Sequence, residues 1–260
     1  MSRRKAVELR RPREGAIKSA DERRSGPGRT SVATQNEHGH LIAVAAKAAL
    51  APIGCVRRGQ SRVWISDQRY WAIMIEFQPS GFSKGSYLNV GASWLWYERP
   101  GLAFNVGYRV AGAGFISFEN SEQFRPLIER MAAQAAEAVL ALRAKFASIA
   151  MISGFLNAEP NGTLNHMFSA AVAAGLNHEF ELSRKRFHEI LSYPADQDWR
   201  VKRHAEAAAL LALLNDPAQF RAGVRRIIDA RRAQAGFPPI ADCLEGLDST
   251  VREGESRPAS

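Results

Sequence analysis

The sequence lacks the features that identify most secreted, membrane-spanning and metal-binding proteins. It has two cysteines in 260 residues, Cys55 and Cys243, which are too few for a disulfide framework and too far apart for metal-ligand spacing. No apolar run approaches the roughly 18 residues that a membrane-spanning helix needs. The basic residues 1–13 are not followed by the apolar segment of a secretory signal. We therefore expect a cytoplasmic protein that keeps both cysteines in its core.

The motifs that would mark an enzyme are missing as well. The histidines at positions 166, 178, 188 and 204 are never three or four residues apart, so no two share a helical turn as a metal pair would. There is no phosphate-binding loop and no dinucleotide-binding glycine pattern. The segment from Gly81 to Gly85 satisfies G-x-S-x-G, but a strand follows it where the nucleophile chemistry needs a helix. From the sequence we assign no catalytic residue, no metal ligand and no cofactor.

The net charge of +9 does not come from one region. Residues 1–37 hold ten Lys/Arg against five Asp/Glu, and residues 38–241 hold twenty-three against sixteen. On the last predicted helix, Arg221, Arg225 and Arg232 fall on about one face, and guanidinium groups match the geometry of phosphates. These three are the candidate phosphate contacts of a nucleic-acid-associated protein. A solvated surface explains the same arginines more simply.

Composition divides the chain into four parts. Residues 1–37 have almost no apolar side chains, which predicts a disordered basic tail, and residues 242–260 are predicted to form a disordered C-terminal tail. Between them we predict an α+β domain over residues 38–158. Residues 159–241 are predicted to form a helical bundle of two helical hairpins.

Alternating apolar and polar residues predict an antiparallel sheet in the first half of the chain. A buried helix over about 39–51 precedes strands at about 56–66 and 70–78, which a tight turn at Asp67 and Gln68 joins. A third strand is predicted at 86–97, with further extended pieces in 104–109 and 115–119. In the second strand one parity is apolar (Trp71, Ile73, Ile75, Phe77), which is typical of a half-buried strand.

Helical periodicity follows the strands. We predict a long helix over about 124–150, capped by Asn120 or Ser121 and starting near Phe124, so that Pro126 falls in the first turn. Four further helices are predicted at about 163–177, 180–192, 198–215 and 217–234. The predicted fold class is therefore α+β, with an antiparallel sheet of about four to five strands packed on the long helix, followed by an all-helical C-terminal bundle.

The side chains that alternate with the apolar ones along the predicted strands form a polar face of the sheet, and this face is the candidate binding site. Carboxylate and amide groups interleaved with aromatic rings can recognise a partner through hydrogen bonds and stacking. The candidate residues are Arg58, Trp64, Glu76, Gln78, Asn89 and Tyr97. A solvated sheet face is the alternative interpretation.

Over residues 50–91 the chain resembles an uncharacterised bacterial domain-of-unknown-function family. The family pattern is L-x-x-x-G-[FY]-x-[RK]-x-G-x-x-[FW], then a strand that ends in Q-x-S, then Y-x-[IL]-N-[LIV]-G. Two departures are Cys55, where an aromatic residue is usual, and Trp64, which lies one or two places late. The family has no assigned activity, so the resemblance implies a fold and not a function. The matching residues are Leu50, Gly54, Arg57, Gly59, Gln78, Ser80, Tyr87, Leu88, Asn89, Val90 and Gly91.

The expected function is non-enzymatic binding of a protein partner in the cytoplasm, as an adaptor or an immunity-like factor. The first alternative is a nucleic-acid-associated protein that uses its Arg-rich surface and basic N-terminal tail. The second is an enzyme of unrecognised type. A basic stripe contiguous with the sheet would favour nucleic acid, and a deep pocket holding a carboxylate of shifted pKa would favour an enzyme.

Overall fold

The computed structural model describes residues 30–96, 101–110, 112–159 and 162–247. Their order confirms the α+β prediction, because an antiparallel sheet comes first and a helical region follows it. The strands are β1 (Val56–Arg57), β2 (Val63–Asp67), β3 (Trp71–Gln78), β4 (Gly85–Trp94), β5 (Val106–Arg109) and β6 (Ile116–Ser117). The helices are α1 (Thr30–Leu50), α2 (Ser121–Lys145), α3 (Ile149–Asn157), α4 (Leu164–Leu176), α5 (Phe180–Ser192), α6 (Asp198–Leu213) and α7 (Pro217–Gln234).

The sheet is a meander in the order β1-β2-β3-β4-β5, and β6 pairs with the start of β4. The single strand predicted over 56–66 is two strands, because residues 58–62 form a turn. Arg57 closes this turn by donating from Nε to the carbonyl oxygen of Ser61 at 2.7 Å and from Nη2 to that of Gln60 at 2.8 Å. Gly59 adopts a positive φ of 55° there, a conformation that glycine accepts without steric cost.

The inner face of the sheet is part of the core, and it carries the apolar side chains of β3 that the sequence analysis predicted to be buried. Ile73, Ile75 and Phe77 are fully buried, and β4 places Val90 directly opposite Ile75. Phe146, which ends α2, packs against this face with its ring centroid 5.2 Å from that of Trp94. Each large apolar side chain that is buried here contributes about 1.5–3 kcal/mol, so this face provides much of the hydrophobic free energy of folding.

The predicted long helix differs from the observed one at both ends. The side chain of Asn120 accepts the N–H of Gln123 at 2.9 Å, so the helix begins at Ser121 and Pro126 lies inside it. The cap is worth about 0.5–2 kcal/mol and offsets part of the cost of an internal proline, which is about 3 kcal/mol. Phe124 and Ile128, on either side of Pro126, are fully buried, and their packing stabilises this part of the helix as well. After Lys145 the chain turns by 92°, and Ser148 caps a separate helix, α3.

The four C-terminal helices lie where the periodicity predicts them. Eleven of the 13 residues of the apolar helix α4 are buried, and the helix packs against α3, α5 and α7. No single helix within the described ranges is long and apolar enough to cross a membrane, and the only pair that meets the criterion together, α2 with α3, is bent by 92°.

The described secondary structure begins before the first boundary drawn from the sequence, and buried residues continue past the second. Helix α1 begins at Thr30, whereas the predicted N-terminal tail ran to residue 37. At the other end Cys243 and Leu244 are fully buried, because the short apolar segment that contains them docks against the helices. Residues 1–29 and 248–260, which hold the rest of the two predicted tails, lie outside the described residues.

Both cysteines are buried and free, as the sequence predicts. Burial raises the pKa of the Cys55 thiol. Burial, assisted by the nearby carboxylate of Asp229, raises the pKa of Cys243 to about 12. Both thiols are therefore protonated at neutral pH and are poor nucleophiles.

Candidate binding surface

The outer sheet face, opposite Ile73, Ile75 and Phe77, carries a row of polar side chains. Backbone pairing places Glu76 opposite Asn89, and Asn89 opposite Arg109 on the next strand. Directly paired residues point to the same side of a sheet. Three strands therefore bring their polar side chains together at one place.

Four of these side chains form a hydrogen-bonded cluster, which we call the polar quartet: Glu76, Gln78, Asn89 and Arg109. The amide Nδ2 of Asn89 donates to Glu76 Oε2 and to Gln78 Oε1, both at 3.0 Å. Nη2 of Arg109 donates to the same Gln78 oxygen at 2.9 Å. The Arg109 guanidinium also lies 3.8 Å from the ring centroid of Tyr87, within cation–π range.

The polar quartet keeps hydrogen-bonding capacity that its own contacts do not use. Glu76, Gln78 and Asn89 are half-buried and Arg109 is exposed. Within the described residues, Oε1 of Glu76 and Nε2 of Gln78 have no partner. The quartet thus presents an acceptor, a donor and a cation in fixed positions, with the side chains already held in place by one another.

A cavity of about 340 Å³, which we call the edge pocket, opens beside the quartet on the strands β1 and β2. The register continues from the quartet into this pocket, since Val63 pairs with Glu76 and Ile65 follows two residues later on the same face. Val56, Ile65, Leu102 and Phe237 give the pocket apolar walls, and its volume lies within the ~300–1,000 Å³ typical of ligand pockets.

The rim of the edge pocket is charged. Arg57, Arg58 and Asp67 contribute to its lining. The side chain of Arg58 is exposed and has no partner among the described residues. Val56 is 69 % exposed, so apolar surface and positive charge lie side by side at this edge of the sheet.

The far wall of the edge pocket depends on Arg232. Its two terminal nitrogens donate to the two carboxylate oxygens of Asp67, each at 2.7 Å. The same guanidinium donates to the carbonyl oxygens of Arg69 at 2.6 Å and Pro238 at 3.1 Å. The end of α7 is therefore held against the turn between β2 and β3, and Phe237 is placed in the pocket wall.

The structure corrects the prediction for Trp64. This residue is only 4 % exposed and pairs with Ile75, so it belongs to the inner face and not to the polar one. Four residues separate Asp67 from its partner Ala72, so even-numbered residues of β2 lie opposite odd-numbered residues of β3. Of the other candidates, Arg58 lies at the edge pocket and not in the quartet, and Tyr97 lies outside the described residues.

The structure also reassigns the candidate phosphate contacts, Arg221, Arg225 and Arg232. All three bind the chain itself. Arg221 and Arg225 donate to the carbonyl oxygens of Leu244 and Ala241, both at 2.5 Å, and so hold the C-terminal segment on α7. Arg232 is buried against Asp67. The predicted stripe of arginines is a docking surface for residues 241–245 and for the turn between β2 and β3.

The sequence prediction missed Tyr87 and Arg109. The sequence could have predicted Tyr87, because it lies two residues before Asn89 in an alternating strand and therefore on the same face. The position of Arg109 depends on the pairing of β5 with β4, which no local pattern specifies. Within the described ranges no group of three or more His, Cys, Asp or Glu residues is placed to hold a metal ion.

No protein-family model, curated protein sequence or solved structure matches this chain. The resemblance over residues 50–91 therefore stays a prediction.

Proposed function

We propose that this chain is a non-enzymatic cytoplasmic binding protein that recognises a protein partner through the outer sheet face. The observation that carries the proposal is the adjacency of the polar quartet and the edge pocket, which join ordered hydrogen-bonding groups to apolar surface. Protein interfaces combine these two components, and Tyr and Arg are enriched among the residues that contribute most to binding.

The charges of the surface define the partner's chemistry. Arg57 and Arg58 line the edge pocket, and Arg109 lies on the quartet side. A complementary partner would insert an apolar side chain between Val56 and Phe237 and present a carboxylate to these guanidinium groups. An acidic protein segment with an apolar anchor meets both requirements.

The proposal is tested by site-specific crosslinking in the native host. A photoreactive phenylalanine derivative would replace Tyr87 at the quartet or Val56 at the edge pocket, with Glu137 on the exposed side of α2 as the matched control. We expect the same nuclease-resistant adduct from both sheet positions and none from Glu137. An adduct that forms equally at Glu137, or that disappears with nuclease, would contradict the proposal.

A charge reversal gives the energetic test. Arg109→Glu removes the cation and places a carboxylate near Glu76, and we expect a loss of partner affinity of at least about 30-fold, equal to about 2 kcal/mol. Arg109 is exposed, so the loss of its hydrogen bond to Gln78 and of its contact with Tyr87 should lower the free energy of unfolding by only about 1 kcal/mol. Arg226→Glu, on the exposed side of α7, is the control and should bind like the wild type.

A further inference from the structure

A second cavity, of about 200 Å³, lies where the sheet meets the helical bundle, away from the outer-face site. Its lining is mainly polar and comes from both halves of the chain. The polar lining residues are Asn105, Thr163, Asn165, His166 and Ser169. The volume is below that of pockets for drug-sized ligands, which limits any occupant to a small molecule or ion.

Ser169 is the first sign that this cavity binds something. The residue is 1 % exposed, and its hydroxyl oxygen has no hydrogen-bond partner among the residues that the structure describes. A buried hydroxyl is unfavourable unless it is hydrogen-bonded, and native proteins rarely leave one unpaired without a reason. A ligand in the cavity would supply the missing partner.

The start of α4 is the second sign. Thr163 caps this 13-residue helix, and its hydroxyl accepts the N–H of His166 at 3.3 Å. The N–H groups of Leu164 and Asn165 come before the first N–H that donates within the helix, that of Met167 to the Thr163 carbonyl oxygen, so they remain to be satisfied by another group. The N-terminus of a helix carries a partial positive charge and favours anions.

Neighbouring contacts fix the two polar side chains of the first turn. The Asn165 oxygen accepts from Arg203 Nε at 3.1 Å, which leaves the amide nitrogen of Asn165 as the donor. The His166 ring donates from Nε2 to the carbonyl oxygen of Leu156 at 2.7 Å. A side chain on Gly162 would collide with the imidazole, so only glycine lets the ring occupy this position.

We infer that this cavity binds a small oxyanion, either inorganic phosphate or the carboxylate of a small acid. The Ser169 hydroxyl, the Asn165 amide and the first N–H groups of α4 would donate to its oxygens. The three types of donor lie within two turns of one helix, so the site is built before the ligand arrives.

The test is calorimetric titration of the wild-type chain with inorganic phosphate and, separately, with acetate in chloride buffer. Heat of binding with either anion supports the site. The anion that binds more tightly shows whether the ligand is a phosphate or a carboxylate. Absence of binding for both up to about 50 mM would overturn the inference.

Two serine variants separate the cavity from adventitious binding to surface arginines. Ser169→Ala should be at least as stable as the wild type without ligand and should lose about tenfold or more in anion affinity. The control is Ser183→Ala, because Ser183 is equally buried but donates to the carbonyl oxygen of Ala171 at 2.8 Å. It should lose stability and keep the affinity. Equal affinities for Ser169→Ala and the wild type would refute the site.

Discussion

Replacing Arg232 with alanine tests whether the predicted arginine stripe is structural. The side chain of Arg232 is 4 % exposed and that of Asp67 is 30 % exposed. The substitution removes two charge-assisted hydrogen bonds to Asp67 and two to carbonyl oxygens. Asp67 Oδ1 keeps the Arg69 N–H as a donor, whereas Oδ2 and the two carbonyl oxygens lose the Arg232 donor. Breaking a buried ion pair from one side costs about 3–5 kcal/mol. Because water can partly solvate Asp67, we expect about 3 kcal/mol.

Arg225→Ala is the matched comparison on the same helix. Its side chain is 42 % exposed, and its ion-pair distances to Asp229 and Asp242 are 3.4 and 4.0 Å. Exposed pairs of this kind contribute about 0–1 kcal/mol, and the loss of the exposed hydrogen bond to the Ala241 carbonyl oxygen adds little because water can replace the donor. Urea denaturation of both variants at one pH should therefore separate them by about 2 kcal/mol, with similar m-values because both unfold from a compact native state.

A double-mutant cycle with Asp67→Asn isolates the pair itself. Asparagine keeps an oxygen to accept the Arg69 N–H, which Asp67 Oδ1 accepts at 2.9 Å, but it removes the charge and replaces Oδ2, the acceptor of Arg232 Nη2, with a donor. We expect a coupling energy between positions 67 and 232 of about 1–3 kcal/mol. A cost for Arg232→Ala below about 1 kcal/mol, or a coupling near zero, would mean that Arg232 is solvated. It would then again be a candidate for contact with phosphate.

Two further predictions concern cysteine reactivity and acid stability. Neither Cys55 nor Cys243 should react with a disulfide reagent in the native protein, and both should react after unfolding, because burial raises the pKa of each thiol; rapid labelling of the native chain would contradict their placement. Burial raises the pKa of Asp242, but the Leu244 N–H and the guanidinium groups of Arg221 and Arg225 outweigh it, so the net shift is downward. Its contribution to stability is then present above the unfolded value of about 3.9 and is lost as the pH falls through the lowered folded value. The free energy of unfolding of the wild type relative to Asp242→Asn should therefore be constant above about pH 5 and shrink below about pH 4, and a difference that stays constant to pH 2 would be evidence against this role.

The sequence predicted the secondary structure well where one local pattern controls it. The apolar parity of β3 follows from burial on one side of a sheet, and Ile73, Ile75 and Phe77 are all buried as expected. The last four helices could be predicted equally well, because their periodicity and end signals are local in sequence. The helix break before Ser148 was missed, since the apolar spacing continues through it while the cap at Ser148 turns the chain.

The wrong assignment of Trp64 came from the length of the connection between β2 and β3. The predicted strands, 56–66 and 70–78, leave three residues between them, which would place Trp64 opposite Ala72 on the polar side. The observed connection has four residues between Asp67 and Ala72, and it places Trp64 opposite Ile75. A difference of one residue therefore decides which face of the sheet Trp64 occupies.

The arginines of α7 show where local sequence patterns stop being informative. Arg232 and Asp67 are 165 residues apart in sequence, and no periodicity connects them. Helical spacing correctly placed the three arginines near one another, but it could not distinguish a free positive stripe from one that the chain itself occupies. Only the tertiary fold supplies the carboxylates and carbonyl oxygens that decide between these alternatives.

The edge pocket has both a structural role and a proposed binding role. Arg232 holds Pro238 and the turn at Arg69 together, and this places Phe237 opposite the exposed Val56. The polar quartet, by contrast, is held in the described part of the chain by contacts among residues of β3, β4 and β5. The apolar half of the proposed binding surface thus depends on long-range docking of the C-terminal region, whereas the polar half is a property of the sheet. A change that loosens α7 should therefore reshape the apolar anchor site and leave the hydrogen-bonding pattern of the quartet intact.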